Sequence, residues 1–376
     1  MNKPLKLVKK NEIEELRSLV SRTASAALTA LPDSQITILN AAERLNKLAD
    51  GLERKEKLEN LVPSIAVIPS EATAEELQES RRYQATRRGN DVYLPCLVEV
   101  TSIMPKAFIR SALFSPSASV QANNANVLAG DQTLLVASKI IATYKSLTLL
   151  FSGYELCQFD RKVYANCLSY YREQPLALDK NADIDEVVCT DDIQTSFYKF
   201  CLRLGVSYSI DSHKAIRASL LRLSFAQLRL RINRMNIEIP KLLAINFEDG
   251  EPTGNFRASD KMALRVTKSF AELFGPNEWT SISKKASSYD GLKGWLACFY
   301  TSHSKPKWLA VEWLYCLSGY SSNKNNFKAS LIRALDKLKS EKSMGNNHIT
   351  AYYFSQDGKK ILVIRSDWNA PELSEE

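Results

Sequence analysis

The stretch Ile216-Arg217-Ala218-Ser219-Leu220-Leu221-Arg222 returns as Phe327-Lys328-Ala329-Ser330-Leu331-Ile332-Arg333, matched in chemical type at all seven positions and 111 residues away. Each copy follows a short segment that holds Cys-Leu and ends in glycine: Cys201-Leu202-Arg203-Leu204-Gly205 and Cys316-Leu317-Ser318-Gly319. Similarity at so long a spacing indicates a duplicated domain, since a solenoid repeats over a shorter period.

Both copies are expected to be helices, capped by Asp211/Ser212 and by Ser321/Ser322. Ile216, Leu220 and Leu223 share one face of the first, and Phe327, Leu331, Ala334 and Leu338 share one face of the second. Those faces are expected to pack inward. The opposite faces carry Lys214, Ala218 and Arg222, and Asn325, Ala329 and Arg333, with Arg217 and Lys328 on the flanks. A small residue at the centre of such a face lets a helix approach the floor of a DNA groove. Arg and Asn are the side chains that make bidentate contacts with guanine and adenine edges.

A hairpin pattern follows each helix. Leu228-Arg229-Leu230-Arg231-Ile232 alternates, turns through Asn233-Arg234-Met235-Asn236 and returns as Ile237-Glu238-Ile239. His348 to Phe354 is strand-like, Gln356-Asp357-Gly358 is a turn, and Lys359 to Arg365 returns. Helix, turn, helix and basic hairpin form the winged-helix arrangement, in which a helix enters the major groove and the hairpin meets phosphate or the minor groove. The residues expected to meet DNA are Lys214, Arg217, Arg222, Arg229, Arg231 and Arg234 in the first copy. In the second they are Lys324, Asn325, Asn326, Lys328, Arg333, Lys337, Lys359, Lys360 and Arg365.

Charge supports the same reading. The net charge of the 376 residues is +8. Thr195 to Phe247 carries nine Lys/Arg against two Asp/Glu, and Lys305 to Asp367 carries eleven against five, so the rest of the chain is net acidic. A basic helix alone is ordinary solvated surface. The same constellation found twice, each time on excess positive charge, points to a polyanion.

The fold class expected is α+β and helix-rich, with two tandem winged-helix domains behind a helical N-terminal extension. The divisions fall at 1–92 (extension and linker, suited to a partner), 93–255 (first winged helix) and 256–376 (second). Helices are expected over 11–60, broken at Pro32-Asp33-Ser34, and over 72–88. Val62 to Ser70 reads as a linker, Arg87 to Asp91 as a loop and residues 173–192 as an acidic loop. Strand Leu147 to Phe151, a helix from Asp160 to Arg172 and a helix from Thr195 closed by Gly205 come next. The seven cysteines include no C-x-x-C pair and read as reduced, buried thiols of a cytoplasmic bacterial protein, without zinc. No secretory leader is expected from the charged N-terminus, and no apolar run is long enough to span a membrane.

Several segments, in this order, resemble the TrfA-type plasmid replication initiators over about 105–367. They are Ile109-Arg110-Ser111-Ala112-Leu113-Phe114, Phe151-Ser152-Gly153-Tyr154-Glu155-Leu156, Ser196-Phe197-Tyr198-Lys199-Phe200-Cys201 and Trp295-Leu296-Ala297-Cys298-Phe299-Tyr300-Thr301-Ser302-His303. The resemblance implies binding to directly repeated origin sites (iterons) in double-stranded DNA, opening of an AT-rich tract and recruitment of host replication proteins such as a helicase and the host initiator. It also implies a monomer–homodimer equilibrium. Members carry a sliding-clamp motif of Gln-Leu-Ser-Leu-Phe type. At its place stands Tyr93-Leu94-Pro95-Cys96-Leu97, lacking the Gln and the terminal aromatic.

No enzyme motif stands out. His213, His303 and His348 are unpaired in sequence, Tyr170-Tyr171 has no metal cluster beside it, and no P-loop is present. Neither catalytic residues nor a cofactor is expected. Two alternatives stay open: a double winged-helix transcriptional regulator acting as an autorepressor, and a DNA enzyme whose site the sequence hides.

Overall fold

The computed structural model describes residues 5–29, 35, 37–46, 49, 66–67, 85–88, 91–95, 101–144, 147–172, 176, 192–232, 235–248, 256–275, 278–341, 348–366 and 368. The chain divides into two compact units, Met1–Ser64 and Ile65–Glu376. In the first unit, helix Leu5–Thr29 meets helical residues of 37–46, where Arg17 donates to Asn46 Oδ1 at 2.5 Å and Ala27 and Ala42 are buried.

The second unit mixes helices with mostly antiparallel sheets and holds the same order of elements twice. In the first copy, helix Gln158–Ser169 precedes strand Ile193–Ser196, helices Phe197–Leu204 and Ile210–Phe225, and strands Ala244–Phe247 and Lys261–Arg265. In the second, helix Gly291–Thr301 precedes strand Trp308–Ala310, helices Val311–Ser318 and Lys324–Ser340, and strands Ile349–Phe354 and Lys360–Arg365. In both sheets the last strand lies in the middle, antiparallel to its two neighbours. Lys261 faces Ser196 as Lys360 faces Ala310, and Phe247 faces Met262 as Phe354 faces Ile361. A division between 255 and 256 would cut the first of these sheets.

The duplication is real, but its register is not the one the sequence suggests. The residues preceding the short helices (Ser196, Ala310), the left-handed glycines that end them (Gly205, Gly319) and the caps of the long helices (Ser209, Asn323) are all 114 residues apart. Three residues is close to one helical turn of 3.6, so a match at 111 keeps apolar residues on the same face while misplacing them along the axis. Two expectations fall with it. The caps are Ser209, in a box with Ser212, and Asn323, whose Oδ1 accepts from the Asn325 amide at 3.0 Å. The two Cys-Leu pairs are not equivalent: Cys201 is buried and Cys316 exposed.

The expected first hairpin exists, Gln227–Ile232 paired with Met235–Ile239. It belongs to a different sheet, in which Gln227–Ile232 also pairs with Thr148–Tyr154 and that strand with Leu135–Ile141. The strands standing where the second copy has its Ile349–Phe354 and Lys360–Arg365 hairpin are Ala244–Phe247 and Lys261–Arg265. The sequence between them, 248–260, holds Glu248, Asp249, Glu251 and Asp260 against Arg257. Helix–sheet contact is close at Gly153 (φ 133°), where an added Cβ would lie 2.6 Å from the Phe225 carbonyl oxygen.

Segment 101–115 joins the two copies. Thr101–Pro105 pairs antiparallel with Trp279–Ser283, Arg110 Nε donates to Ser302 Oγ at 2.8 Å, and Trp295 Nε1 donates to the Ser111 carbonyl at 3.2 Å. Arg161 reaches Ser287 Oγ and the Ser287 carbonyl at 3.3 and 3.2 Å. Phe108, Phe114, Tyr164, Phe270 and Phe274 form an aromatic core beneath this seam. His303 lies against Tyr144 and Phe299, its Nδ1 donating to the Phe299 carbonyl at 2.8 Å. Burial and the nearby Arg110 push its pKa down to about 4, so the ring is neutral.

Thr86–Arg88 and Asp91–Tyr93 are strands, where a helix to 88 and a loop from 87 were expected. Their ladder bonds determine this segment, and local helix propensity yields to them. Most of the remaining 72–88 helix, Pro32–Ser34 and most of the acidic loop 173–192 fall outside the described residues. Among the described residues no helix is long and apolar enough to cross a membrane.

Candidate nucleic-acid interface

In the second copy, helix Lys324–Ser340 buries Phe327, Leu331, Ala334, Leu335 and Leu338. Its i, i+3, i+4 apolar pattern leaves Lys324, Asn325, Asn326, Lys328, Ala329, Arg333 and Lys337 exposed. Asn325, Ala329 and Arg333 succeed one another at four-residue steps and so form a strip along the outer face. Arg333 lies along its own helix, with Nε 3.3 Å from the Ala329 carbonyl. Lys324 pairs with Glu312 at 2.5 Å, which raises the lysine pKa and lowers that of the glutamate.

The hairpin tip stands beside this helix. Lys328 Nζ donates to the Gly358 carbonyl at 3.1 Å and lies 4.8 Å from the centre of the Phe354 ring. Gly358 holds a left-handed φ of 66° and leaves room for the ammonium: a Cβ there would come within 2.7 Å of it. Asp357 Oδ1 accepts from Ser355 Oγ at 2.6 Å and from the Lys359 amide at 3.0 Å, which fixes the turn and lowers the carboxyl pKa. Lys359 and Lys360 are exposed, Lys359 to 83% of its side chain. Arg365 is not available to DNA. It is 4% exposed and donates to the carbonyls of Tyr300 and His303 at 2.7 and 3.1 Å. Its cationic side chain counted towards the basic hairpin in sequence; in the structure it closes the C-terminal end of helix Gly291–Thr301.

The first copy departs from the expected reading surface. Helix Ile210–Phe225 is covered on the face that was to read bases. Ala218 is fully buried with Val127 and Tyr154, under helix Asn124–Leu128. Arg222 donates through Nε and Nη2 to Asp160 and through Nη1 to Asn124 Oδ1 at 2.7 Å. Burial disfavours the Arg222 charge, the Asp160 carboxylate more than offsets this, and the guanidinium pKa is raised. Arg217 is also buried, 4.0 Å from the centre of the Phe247 ring. Neither arginine can contact a base. Lys214 is exposed and lies 5.9 Å from the Phe256 ring centre.

In the inserted hairpin Leu228 and Leu230 face in while Arg229 and Arg231 face out, Arg229 at 3.4 Å from Glu238. Arg234 lies outside the described residues. The structure thus leaves Lys324, Asn325, Asn326, Lys328, Arg333 and Lys337 exposed on helix Lys324–Ser340 and sets the Lys359–Lys360 tip beside it at Lys328. It withdraws Arg217, Arg222 and Arg365 into the core. The covering of the first helix could not be read from the sequence, because Asn124 and Val127 lie in a segment with no strong pattern of its own.

No protein-family model matches the chain, and no curated protein does. Among solved structures, the crystal structure of RctB domains 2–3 and that of a selenomethionine derivative of the same two domains are similar to it. Each has a TM-score of 0.36 and 14% identity, over 62% of this chain and 90% of the other.

Proposed function

We propose that the chain is a non-enzymatic, sequence-specific double-stranded DNA-binding protein, a plasmid replication initiator that binds directly repeated origin sites. In this reading each copy is a winged helix. The second reads bases through helix Lys324–Ser340 and grips phosphate through Lys359 and Lys360. The carrying observation is the exposed Asn325–Ala329–Arg333 strip beside a basic hairpin tip. That pairing of a slim polar helix with a cationic hairpin suits a major groove and its flanking phosphates. The role as initiator, with a host helicase and the host initiator as partners, rests on the sequence resemblance.

A gel-shift titration against DNA flanking the gene, with excess non-specific competitor, tests the proposal. Stepwise, competitor-resistant complexes on direct repeats are the expected result. Binding to inverted repeats alone would instead indicate a regulator, and competitor-abolished binding would exclude sequence-specific recognition.

A further inference from the structure

We propose that the helix–turn–helix of the first copy is a protein-docking surface that takes an acidic amphipathic helix of a partner. Four apolar side chains lie exposed there: Tyr198 at 54%, Leu202 at 70%, Val206 at 37% and Ile210 at 55%. The offset of 114 pairs Tyr198 with Glu312, Leu202 with Cys316 and Ile210 with Lys324. In the second copy Glu312 and Lys324 touch as an ion pair at 2.5 Å. The same two positions in the first copy carry Tyr198 and Ile210, and Leu202 lies one turn from Tyr198 on the same helix face. The first copy therefore presents a contiguous apolar strip where the second is charged and polar.

Exposed apolar strips of this kind mark interaction sites. DNA is a poor occupant, because Leu, Val and Ile offer phosphates nothing and the base-reading face behind them is closed by Asn124 and Asp160. An amphipathic helix laying its apolar face in the strip fits the i, i+4 spacing of Tyr198 and Leu202. Charge selects its polar face. Helix Phe197–Leu204 carries exposed Lys199 and Arg203 and no acid, and exposed Lys214 lies one turn beyond Ile210, so the rim is net basic even with Asp211 exposed beside Ile210. An acidic helix is complementary to that rim.

The full chain is titrated, without DNA, against a fluorescent synthetic peptide bearing Leu at i, i+3, i+4 and i+7 and Glu elsewhere, and against its twin with Lys for Glu. The acidic peptide is expected to bind at least about tenfold tighter, a free-energy difference of about 1.4 kcal/mol. Leu202→Glu with Ile210→Glu is expected to abolish that binding while leaving the thermal unfolding midpoint in place. Equal binding of the two peptides, or full binding to the variant, overturns the proposal. So does a loss of DNA affinity in the variant exceeding about threefold, which would assign the strip to DNA. Failure of the wild-type chain to bind DNA would instead count against the initiator reading and leave the peptide titration readable.

Discussion

Arg222 and Asp160 form an ion pair at 2.8 Å with side chains 1% and 0% exposed, at the position where the first copy was expected to read bases. The pair ties helix Ile210–Phe225 to the start of helix Gln158–Ser169, where Asp160 also accepts from the Cys157 amide at 2.8 Å. Removing one partner leaves an uncompensated buried charge. Arg222→Ala is expected to cost about 3–5 kcal/mol of stability, measured by urea unfolding. Base preference in the remaining folded protein is expected to be unchanged. A variant that keeps its stability and loses specificity would reverse this assignment.

Lys359 and Lys360 are expected to act through charge alone. Replacing either by Ala should weaken binding to every sequence alike. The slope of log affinity against log salt should fall by about 0.9 for each phosphate that is no longer neutralised. Gel shifts at several salt concentrations measure it, and an unchanged slope would place the hairpin tip away from DNA.

Lys328 holds the tip rather than the phosphate. Its ammonium is bound to the Gly358 carbonyl and lies over Phe354. Lys328→Met should release the tip and remove most of the contribution of Lys359. In a double-mutant cycle on DNA binding, Lys328→Met and Lys359→Ala are then strongly non-additive. Additive losses would make Lys328 an independent phosphate contact.

Glu341 gives the second copy an acid sensitivity. Lys293 and Tyr289 each donate to it at 2.6 Å, and these bonds pull its pKa down from 4.5 to about 2. A carboxyl with a depressed folded pKa contributes stability that is complete above its ordinary value and is lost as pH falls towards the folded one. Thermal unfolding midpoints between pH 5 and 2 should therefore fall more steeply in the wild type than in Glu341→Gln, from about 4.5 downwards. Parallel curves would show that Glu341 carries no such linkage.

The sequence made the helices legible where a face repeats every three to four residues: Phe327, Leu331, Ala334 and Leu338 all turn inward, and Gly205 and Gly319 close their helices. The same periodicity misled the alignment of the copies, since a slip of three residues nearly preserves a helical face. Tertiary partners were invisible. Nothing local distinguishes Arg333, which is exposed, from Arg222, which Asp160 and Asn124 bury from 62 and 98 residues away. Nor does strand alternation reveal that Leu228–Ile239 joins Thr148–Tyr154 while the second strand of the true counterpart hairpin lies at Lys261–Arg265. Long-range pairing fixes sheets, and short-range pattern does not carry it.

The most direct test of base reading by the second copy is selection of preferred sites from random double-stranded DNA by the full chain and by Asn325→Ala and Arg333→Ala. The wild type is predicted to enrich a defined motif. Each variant should lose preference at particular base pairs, about 1–3 kcal/mol of discrimination apiece, and keep its affinity for non-specific DNA. An unchanged motif from both variants would contradict this, since base reading would then lie outside helix Lys324–Ser340.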